Sequence, residues 1–443
     1  MQTTRVVFTA AAVLCASFAI DASAQSRADR FRMRGMPVDE EPAAGSATLL
    51  PGRTFTEAPT GFDSLTNGYL PQGPDLETLT EDTVVPFRSF NDDRFIFEEV
   101  ETRDDGLGPV YNAQSCRECH QNVATGGASQ VAEQRTGRLE GGVFFESLGG
   151  SLIHSRATDP RIVERVAAGD KVRTFRISTN TLGAGYVEAI SNTAIEAVRN
   201  AQPFSIKGTI VHAPVLEAGG QARDGRFGWK SQHASLVSFS ADAYLNEMGI
   251  TSPFLAEENT SSGLNVGYGT EYDPVKDPED DGTDVRAFAD FMRSTKAPSR
   301  GEITADVLAG ETIFNILGCG TCHTPTYRTS PAGTPINGGA FTVPPALGDK
   351  IIHPYSDFML HNVGTGDGIP VAPTADLAST ANQIRTAPLW GLRTRSRLMH
   401  DGLTFTLRQA ILRHGGQAAR VTNAYSGASD ADKNLLETFL NSL

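Results

Sequence analysis

Two copies of the pattern C-x-x-C-H constrain this chain more than any other feature of its 443 residues. They consist of the following residues: Cys116, Cys119 and His120, then Cys319, Cys322 and His323. This spacing lets two thiols add to the two vinyl groups of one porphyrin and places the adjacent His under the iron. We therefore predict two covalently bound haem c groups, with His120 and His323 as iron ligands.

The same cysteines have two other readings, a redox C-x-x-C disulfide or half of a zinc site. A zinc site would have to join the two pairs across about 200 residues of sequence. Neither reading explains why a His follows both pairs. Haem attachment is the interpretation that accounts for all six residues.

The first 24 residues read as a secretory signal peptide. Arg5 precedes an apolar run at 6–20, and Ala22, Ser23 and Ala24 offer a small-residue cleavage site after Ala24. The run is too short for a stable bilayer span, although an uncleaved anchor is the alternative. No later segment reaches 18 uninterrupted apolar residues. We expect a periplasmic protein without stable membrane insertion.

The chain carries 38 basic and 52 acidic residues, a net charge of −14. Phosphate binding requires a basic surface, so nucleic acid is not an expected partner. The negative charge would steer a basic protein partner towards it.

The fold class that we predict is mainly α, with two cytochrome c-like helical haem domains, long loops and little β structure. After the signal peptide at 1–24, we expect an extended N-terminal arm at 25–85, which is rich in Pro and Gly. The N-terminal haem domain would occupy 86–297 and carry the reactive haem. The C-terminal cytochrome c domain would occupy 298–443 and carry the electron-relay haem.

Three helices are predicted near the domain ends. Helical spacing of apolar residues favours one at 284–293, stopped by Pro298. The acidic run before it reads as a solvated capping turn, with a calcium loop as the alternative. Thr304 is expected to cap a helix that runs into Cys319, and Ser429 to cap one whose apolar face ends the chain. Those last two helices would cross and hold the haem.

Seven segments resemble the dihaem c-type oxidoreductases, also called thiol oxidoreductase-like proteins, which sit beside the bacterial dihaem cytochrome c peroxidases and the MauG enzymes. The segments are 106–112 (GLGPVYN), 226–230 (RFGWK), 247–252 (EMGITS), 355–357 (YSD), 388–391 (PLWG), 400–402 (HDG) and 414–416 (HGG). The resemblance implies a reactive haem on His120 and a six-coordinate relay haem on His323. It also implies a calcium ion between the haems, whose ligands the sequence does not identify.

By the same resemblance, the residue 14 positions after the His of the HDG segment closes the relay haem. In this chain that residue is His414, where the peroxidases have Met and the MauG type has Tyr. Helical spacing between 403 and 411 would present His414 from a helix, and Met399 is the rival ligand. Bis-His ligation should lower the haem potential relative to His/Met, which argues against simple cytochrome c peroxidase activity. The resemblance places His400 on a haem propionate.

The resemblance also assigns two catalytic residues. Trp229 would bridge the haems, and Glu247, 18 positions later, would be the distal acid and base. The distal Gln of the peroxidases has no convincing counterpart between them. His212 and His233 are further residues that could approach the reactive iron, each with an ordinary structural role as the alternative.

Three functions remain open at this point. The first is a periplasmic peroxidase-like oxidoreductase that reacts with peroxide at the His120 haem and relays electrons through the His323 haem. The second is a non-catalytic dihaem electron carrier, and the third is a dihaem oxygenase resembling the rubber oxygenases. The electron partner would be a small redox protein or a quinone-linked donor or acceptor, and the small substrate peroxide or oxygen.

Overall fold

The computed structural model describes residues 54–74, 89–372 and 377–443. The predicted signal peptide and most of the predicted arm lie outside these ranges. The described helices are α1 (Phe90–Glu98), α2 (Cys116–Cys119), α3 (Ala184–Glu188), α4 (Asn192–Ala201), α5 (Leu236–Ala243), α6 (Thr283–Ser294), α7 (Ala305–Leu317), α8 (Leu407–Leu412), α9 (Ala419–Ser426) and α10 (Asp430–Leu440). The described strands are β1 (Thr56–Glu57), β2 (Val110–Tyr111), β3 (Ala132–Glu140), β4 (Val143–Glu146), β5 (Leu152–Ile153), β6 (Arg156–Ala157), β7 (Val172–Ile177), β8 (His212–Val215), β9 (Gln221–Asp224), β10 (Tyr327–Arg328), β11 (Pro335–Ile336), β12 (Phe341–Thr342), β13 (Lys350–Ile352), β14 (Leu360–His361) and β15 (Ile384–Arg385).

Around the first haem motif, α1 and α6 supply an aromatic core. Phe97 of α1 packs on Phe291 of α6 with ring centroids 4.6 Å apart, and its ring also lies edge-on to His120 at 6.2 Å. The observed α6 confirms the predicted helix to within one residue at each end. Its first turn is capped by the acidic run, because Asp280 accepts a hydrogen bond from the backbone N–H of Asp284. The aromatic residues before the first motif therefore serve both the core and the ligand ring.

Around the second motif, α7 and α10 cross, as predicted. Thr304 caps α7 by accepting from the N–H of Val307, and Ser429 caps α10 by accepting from the N–H of Asp432. The helices touch at Gly310, where a Cβ atom added to the glycine would lie 2.0 Å from the carbonyl oxygen of Leu435. Only a residue without a side chain permits this approach, so Gly310 sets the distance between the two helices.

Replacing Gly310 with Ala is expected to lower the free energy of unfolding by about 1–3 kcal/mol, because the added methyl group must push two packed helices apart. Thermal unfolding followed by far-UV circular dichroism measures the effect. Gly427→Ala is the matched control, since its nearest neighbouring atom lies 3.7 Å away and its backbone is compatible with alanine. Equal stability of the two variants would show that the crossing is not tight.

A four-stranded antiparallel sheet between the first motif and α3 departs from the expectation of little β structure. Strand β3 pairs with β4 and β5 along one edge and with β7 along the other. The β3–β4 turn is Gly141–Gly142, with φ of +59° and +86°, which glycine adopts without strain. The sheet carries Glu133 and Arg135 inward to the first haem motif.

The described part of the N-terminal arm runs along the body of the protein. Strand β1 pairs in parallel with β13, and Gly61 donates from its N–H to the carbonyl of Ala297. The arm is thereby joined to segments from both predicted haem domains. No helix within the described ranges has the length and apolar character required of a membrane span.

Candidate functional site

The first C-x-x-C-H motif forms a single helical turn. Ser115 caps the turn by accepting from the N–H of Arg117, and the N–H of His120 donates to the carbonyl of Cys116 at 3.0 Å. This turn holds both thiols and the imidazole on one short stretch of backbone. Neither cysteine is in a disulfide, and burial raises the pKa of the Cys119 thiol to about 12. The thiols are therefore protonated and unpaired.

His120 is held as a neutral ring. Its Nδ1 lies 3.2 Å from the carbonyl oxygen of Gly127, and burial lowers its pKa to about 4. Because a carbonyl only accepts, Nδ1 carries the proton in the neutral ring and Nε2 does not. Metal-ligating histidines commonly have this arrangement.

Glu247 lies on the wall of a cavity of about 390 Å³ that Cys119 also lines. Helix α5 is followed directly by a π-helical turn over Tyr244–Met248, which carries Glu247, and such turns often mark functional sites. The carbonyl of Glu247 accepts from the N–H groups of Asn112 and Ala113, which precede the first motif. The 106–112 and 247–252 segments of the family resemblance therefore pack together.

Two residues that the sequence analysis missed control the charge of Glu247. Burial, followed by the negative charge of Glu133, raises the pKa of Glu247 well above its ordinary value. Arg135 donates to Glu133 at 2.6 Å. Although burial opposes the shift, Arg135 and the hydrogen bond with Glu247 lower the pKa of Glu133. The pair therefore holds one proton, on Glu247, with Glu133 ionised.

Asn112 completes this group by donating from its side-chain amide to Glu247 at 3.0 Å. With Glu133 on one side and Asn112 on the other, the carboxyl group of Glu247 is fixed in orientation. The cavity thus contains an acid, Glu247, and a base, Glu133, whose pKa values are shifted in opposite directions, so that both forms are present in the same pH range.

Each of the other histidines considered for the first site, His212, His233 and His154, lies beside a polar partner. His212 is exposed and lies 3.1 Å from Asp224, and His233 lies 3.1 Å from Asp242. Neither lines the Glu247 cavity. His154 does line it, but both its ring nitrogens are occupied, Nδ1 by Glu164 at 2.9 Å and Nε2 by a backbone carbonyl at 3.0 Å.

The second motif opens onto a separate, largely apolar cavity. Its volume is about 210 Å³. The lining contains all the residues that the sequence analysis assigned to the relay haem and its surroundings: Cys319, Cys322, His323, His414, Met399, His400 and Trp229. The cysteines of the two motifs do not meet in any metal-ligand cluster of the described residues. This finding argues against the zinc reading.

His323 and His414 face each other across this cavity. Their ring centroids are 6.5 Å apart. When two imidazoles bind one metal ion from opposite sides, each metal–nitrogen bond is about 2 Å and each nitrogen lies about 1.2 Å from its ring centre. The two ring centres are then about 6.4 Å apart. Nδ1 of His323 lies 3.0 Å from the carbonyl of Tyr355, and Nδ1 of His414 lies 2.7 Å from that of Ala410. Both rings therefore keep Nε2 free, and the spacing fits one iron between them.

A salt bridge joins the 400–402 and 414–416 segments of the resemblance. Arg413 contacts both carboxylate oxygens of Asp401, at 2.5 and 3.1 Å. Helix α8 ends at Leu412, so His414 lies two residues beyond the helix from which it was expected to project. The last turn of the helix still holds this backbone, because the N–H of Arg413 donates to the carbonyl of Gln409 and that of His414 donates to the carbonyl of Ile411. The salt bridge adds a side-chain tie to the 400–402 segment. Asp401 and Arg413 are further residues that the sequence analysis did not single out.

Trp229 lies between the two cavities. Its ring is 6.1 Å from that of His400 in an edge-to-face arrangement, within the second cavity. Its Nε1 donates to the carbonyl of Ile177 at 2.7 Å, and the next residue, Ser178, lines the Glu247 cavity. The assignment of Trp229 as a bridge between the haems stays a prediction.

Unpartnered buried donors in the second cavity test whether it fits a haem. His400 is 3% exposed, and its Nδ1 has no hydrogen-bond partner among the described residues. The Nε atom of Arg395 is also buried without a partner among these residues. Arg385, also in the lining, is buried. Two propionates are the groups that a haem would bring to such donors. The cavity fits a haem held by Cys319, Cys322, His323 and His414. At the first motif, Cys119 lines the Glu247 cavity, and a haem there would be held by Cys116, Cys119 and His120.

One family model matches the chain, over residues 153–443, which is more than half of its length. Its description is "Di-haem oxidoreductase, putative peroxidase". A search of curated proteins finds no match.

Several solved structures show a distant similarity at 14% sequence identity. Hydrazine synthase of Kuenenia stuttgartiensis gives a TM-score of 0.37, with 91% of this chain and 100% of that chain covered. A MauG-like protein associated with microbial copper homeostasis gives 0.36, with 85% and 93% covered. The diheme peroxidase BthA of Burkholderia thailandensis gives 0.36, with 89% and 95% covered. By the family match, this chain is a member of the di-haem oxidoreductase family.

Proposed function

We propose that the protein is a periplasmic dihaem c-type oxidoreductase with peroxidase-like activity. Peroxide would be reduced at the His120 site, and electrons would be relayed through the His323 site. The observation that carries this proposal is the pair of carboxyl groups of Glu247 and Glu133 in the cavity that Cys119 also lines, where the pKa of Glu247 is raised and that of Glu133 is lowered.

The chemistry of the first site follows from its residues. When bound, a haem supplies the redox equivalents and the Lewis acidity that O–O cleavage requires. Glu133, ionised, can accept a proton, and Glu247, protonated, can donate one to the departing oxygen. Asn112 and Arg135 hold these carboxyl groups in place.

The cavity lining supports a small polar substrate. Glu133, Glu164, Glu247 and His154 all contribute to it. Burying an apolar polymer against these groups would remove their hydration without replacing it. We therefore favour peroxide over the apolar substrates of an oxygenase of the rubber-oxygenase kind.

At the second site, both ligand rings are neutral. Burial lowers the pKa of His323 to about 4 and lowers the pKa of His414. Two imidazole ligands leave no position for a substrate, which suits electron relay. Trp229 would connect the two sites. The pattern of residues 1–24, which is typical of a signal peptide, supports export, and the net charge of −14 supports a basic redox partner.

Two haems per chain are expected to remain attached after extraction with acidified acetone, because thioethers survive denaturation. The pyridine haemochrome spectrum and the mass of the denatured chain measure this. Cys119→Ser together with Cys116→Ser should halve the covalently bound haem. A bare polypeptide mass in the wild-type chain would reject the proposal.

Peroxide reactivity separates the three candidate functions. Adding hydrogen peroxide to the diferric protein should change the Soret band within seconds if the His120 site is open. Two low-spin irons and no spectral response would identify an electron carrier. A response to oxygen with an apolar substrate, but none to peroxide, would identify an oxygenase.

A further inference from the structure

A cluster of four carboxylates lies apart from both cavities. It consists of Glu258, Asp273, Asp277 and Glu279, and one ligand atom from each lies within 4.8 Å of the other three. None of the four lines either cavity. The cluster therefore belongs to neither of the two sites described above.

Three of these carboxylates have one oxygen bound by the protein and one oxygen buried without a partner. Asp273 accepts from the N–H of Val275 with Oδ1, at 3.0 Å. Its Oδ2 has no hydrogen-bond partner among the described residues, although the residue is only 5% exposed. Oε2 of Glu258 and Oε1 of Glu279 are likewise buried and unpartnered.

The protein supplies little positive charge to offset this burial. Burial, followed by the neighbouring carboxylates, raises the pKa of Glu258 to about 9, and burial raises that of Glu279 to about 7. Arg103 acts on Asp273 in the opposite direction, but the pKa of Asp273 is raised all the same. Its guanidinium is directed to the carbonyls of residues 271 and 272. Buried carboxylate oxygens without donors are costly unless a cation coordinates them.

From these observations we propose that Glu258, Asp273, Asp277 and Glu279 form a calcium-binding site. Calcium binds six to eight oxygen ligands at about 2.3–2.6 Å, so its ligands lie up to about 5 Å from one another, and the separations within 4.8 Å in this cluster are compatible with that. Magnesium requires a tighter octahedron and is the less suitable ion. The bound ion would join the 258–259 loop to the 273–279 loop that precedes α6.

Calorimetric titration of the chelator-treated, haem-loaded full chain with calcium chloride tests the site. We expect one calcium bound at this cluster, in addition to any ion between the haems, with higher affinity than magnesium and a higher unfolding temperature in its presence. Glu258→Gln and Asp273→Asn should each weaken calcium binding at least tenfold. Glu257→Gln, an exposed neighbour, is the matched control and should bind as the wild type does.

Absence of binding to the wild-type chain would overturn the proposal, as would tighter binding of magnesium. Equal affinity in all three variants would overturn it as well. Haem absorption shows whether Asp273→Asn folds. If it does not fold, the calcium affinity of Glu258→Gln alone decides the test, because the side chain of Glu258 is less buried than that of Asp273.

Discussion

Replacing Glu247 with Gln is expected to slow the reaction with hydrogen peroxide about a hundredfold, because the amide cannot return a proton to the departing oxygen. Stopped-flow measurement of the Soret change gives the rate. The hydrogen bond from Asn112 to Glu247 can be kept by the amide oxygen, so the fold and haem content should not change. An unchanged rate would remove Glu247 from the mechanism.

Two further variants sharpen this experiment. Glu146→Gln replaces an exposed carboxylate on β4 and should react as the wild type does. Glu133→Gln removes the charge that raises the pKa of Glu247, so that pKa should fall. Glu247 would then lose its proton at lower pH, and the alkaline limb of the pH–rate profile should move to lower pH. If the alkaline limb stays at the same pH, the charge of Glu133 does not affect the pKa of Glu247.

Replacing His414 with Ala is expected to convert one haem from low spin to high spin, because the variant lacks the second axial imidazole. Electron paramagnetic resonance of the ferric protein measures the change. An unaltered spectrum would reject His414 as a ligand and favour Met399, which lies in the same cavity.

Arg413→Gln provides the matched comparison for His414. It removes the salt bridge to Asp401 but leaves the imidazole in place. We expect the relay iron to stay low-spin and its reduction potential to shift, since the orientation of His414 is less constrained. A high-spin signal in this variant would mean that the salt bridge is required for ligation itself.

Local sequence rules were sufficient for the elements that hold the motifs. Thr304 and Ser429 cap helices because their side chains can accept from the free N–H groups of a first turn, a property readable from sequence. The apolar spacing in α6 and the stop at Pro298 could also be read from the sequence, because both are local features of the chain. The boundaries of the predicted domains stay a prediction.

Other parts of the site depend on contacts between distant segments. Glu133 and Arg135 reach Glu247 only because β3 pairs with β7, and no pattern in the sequence links residues 114 positions apart. The hairpin itself had a signal, the Gly141–Gly142 pair between two strands, which the sequence analysis did not use. Arg395 and Arg385 are unremarkable in sequence and become significant only through the cavity that they line.

The hydrogen bond from the Trp229 indole to the carbonyl of Ile177 determines how charge could cross that ring. A backbone carbonyl is not a base that can remove the indole hydrogen. If Trp229 lost an electron, it would remain a radical cation and not become a neutral radical. Transfer through it would then proceed without hydrogen movement, and its rate should be the same in light and heavy water.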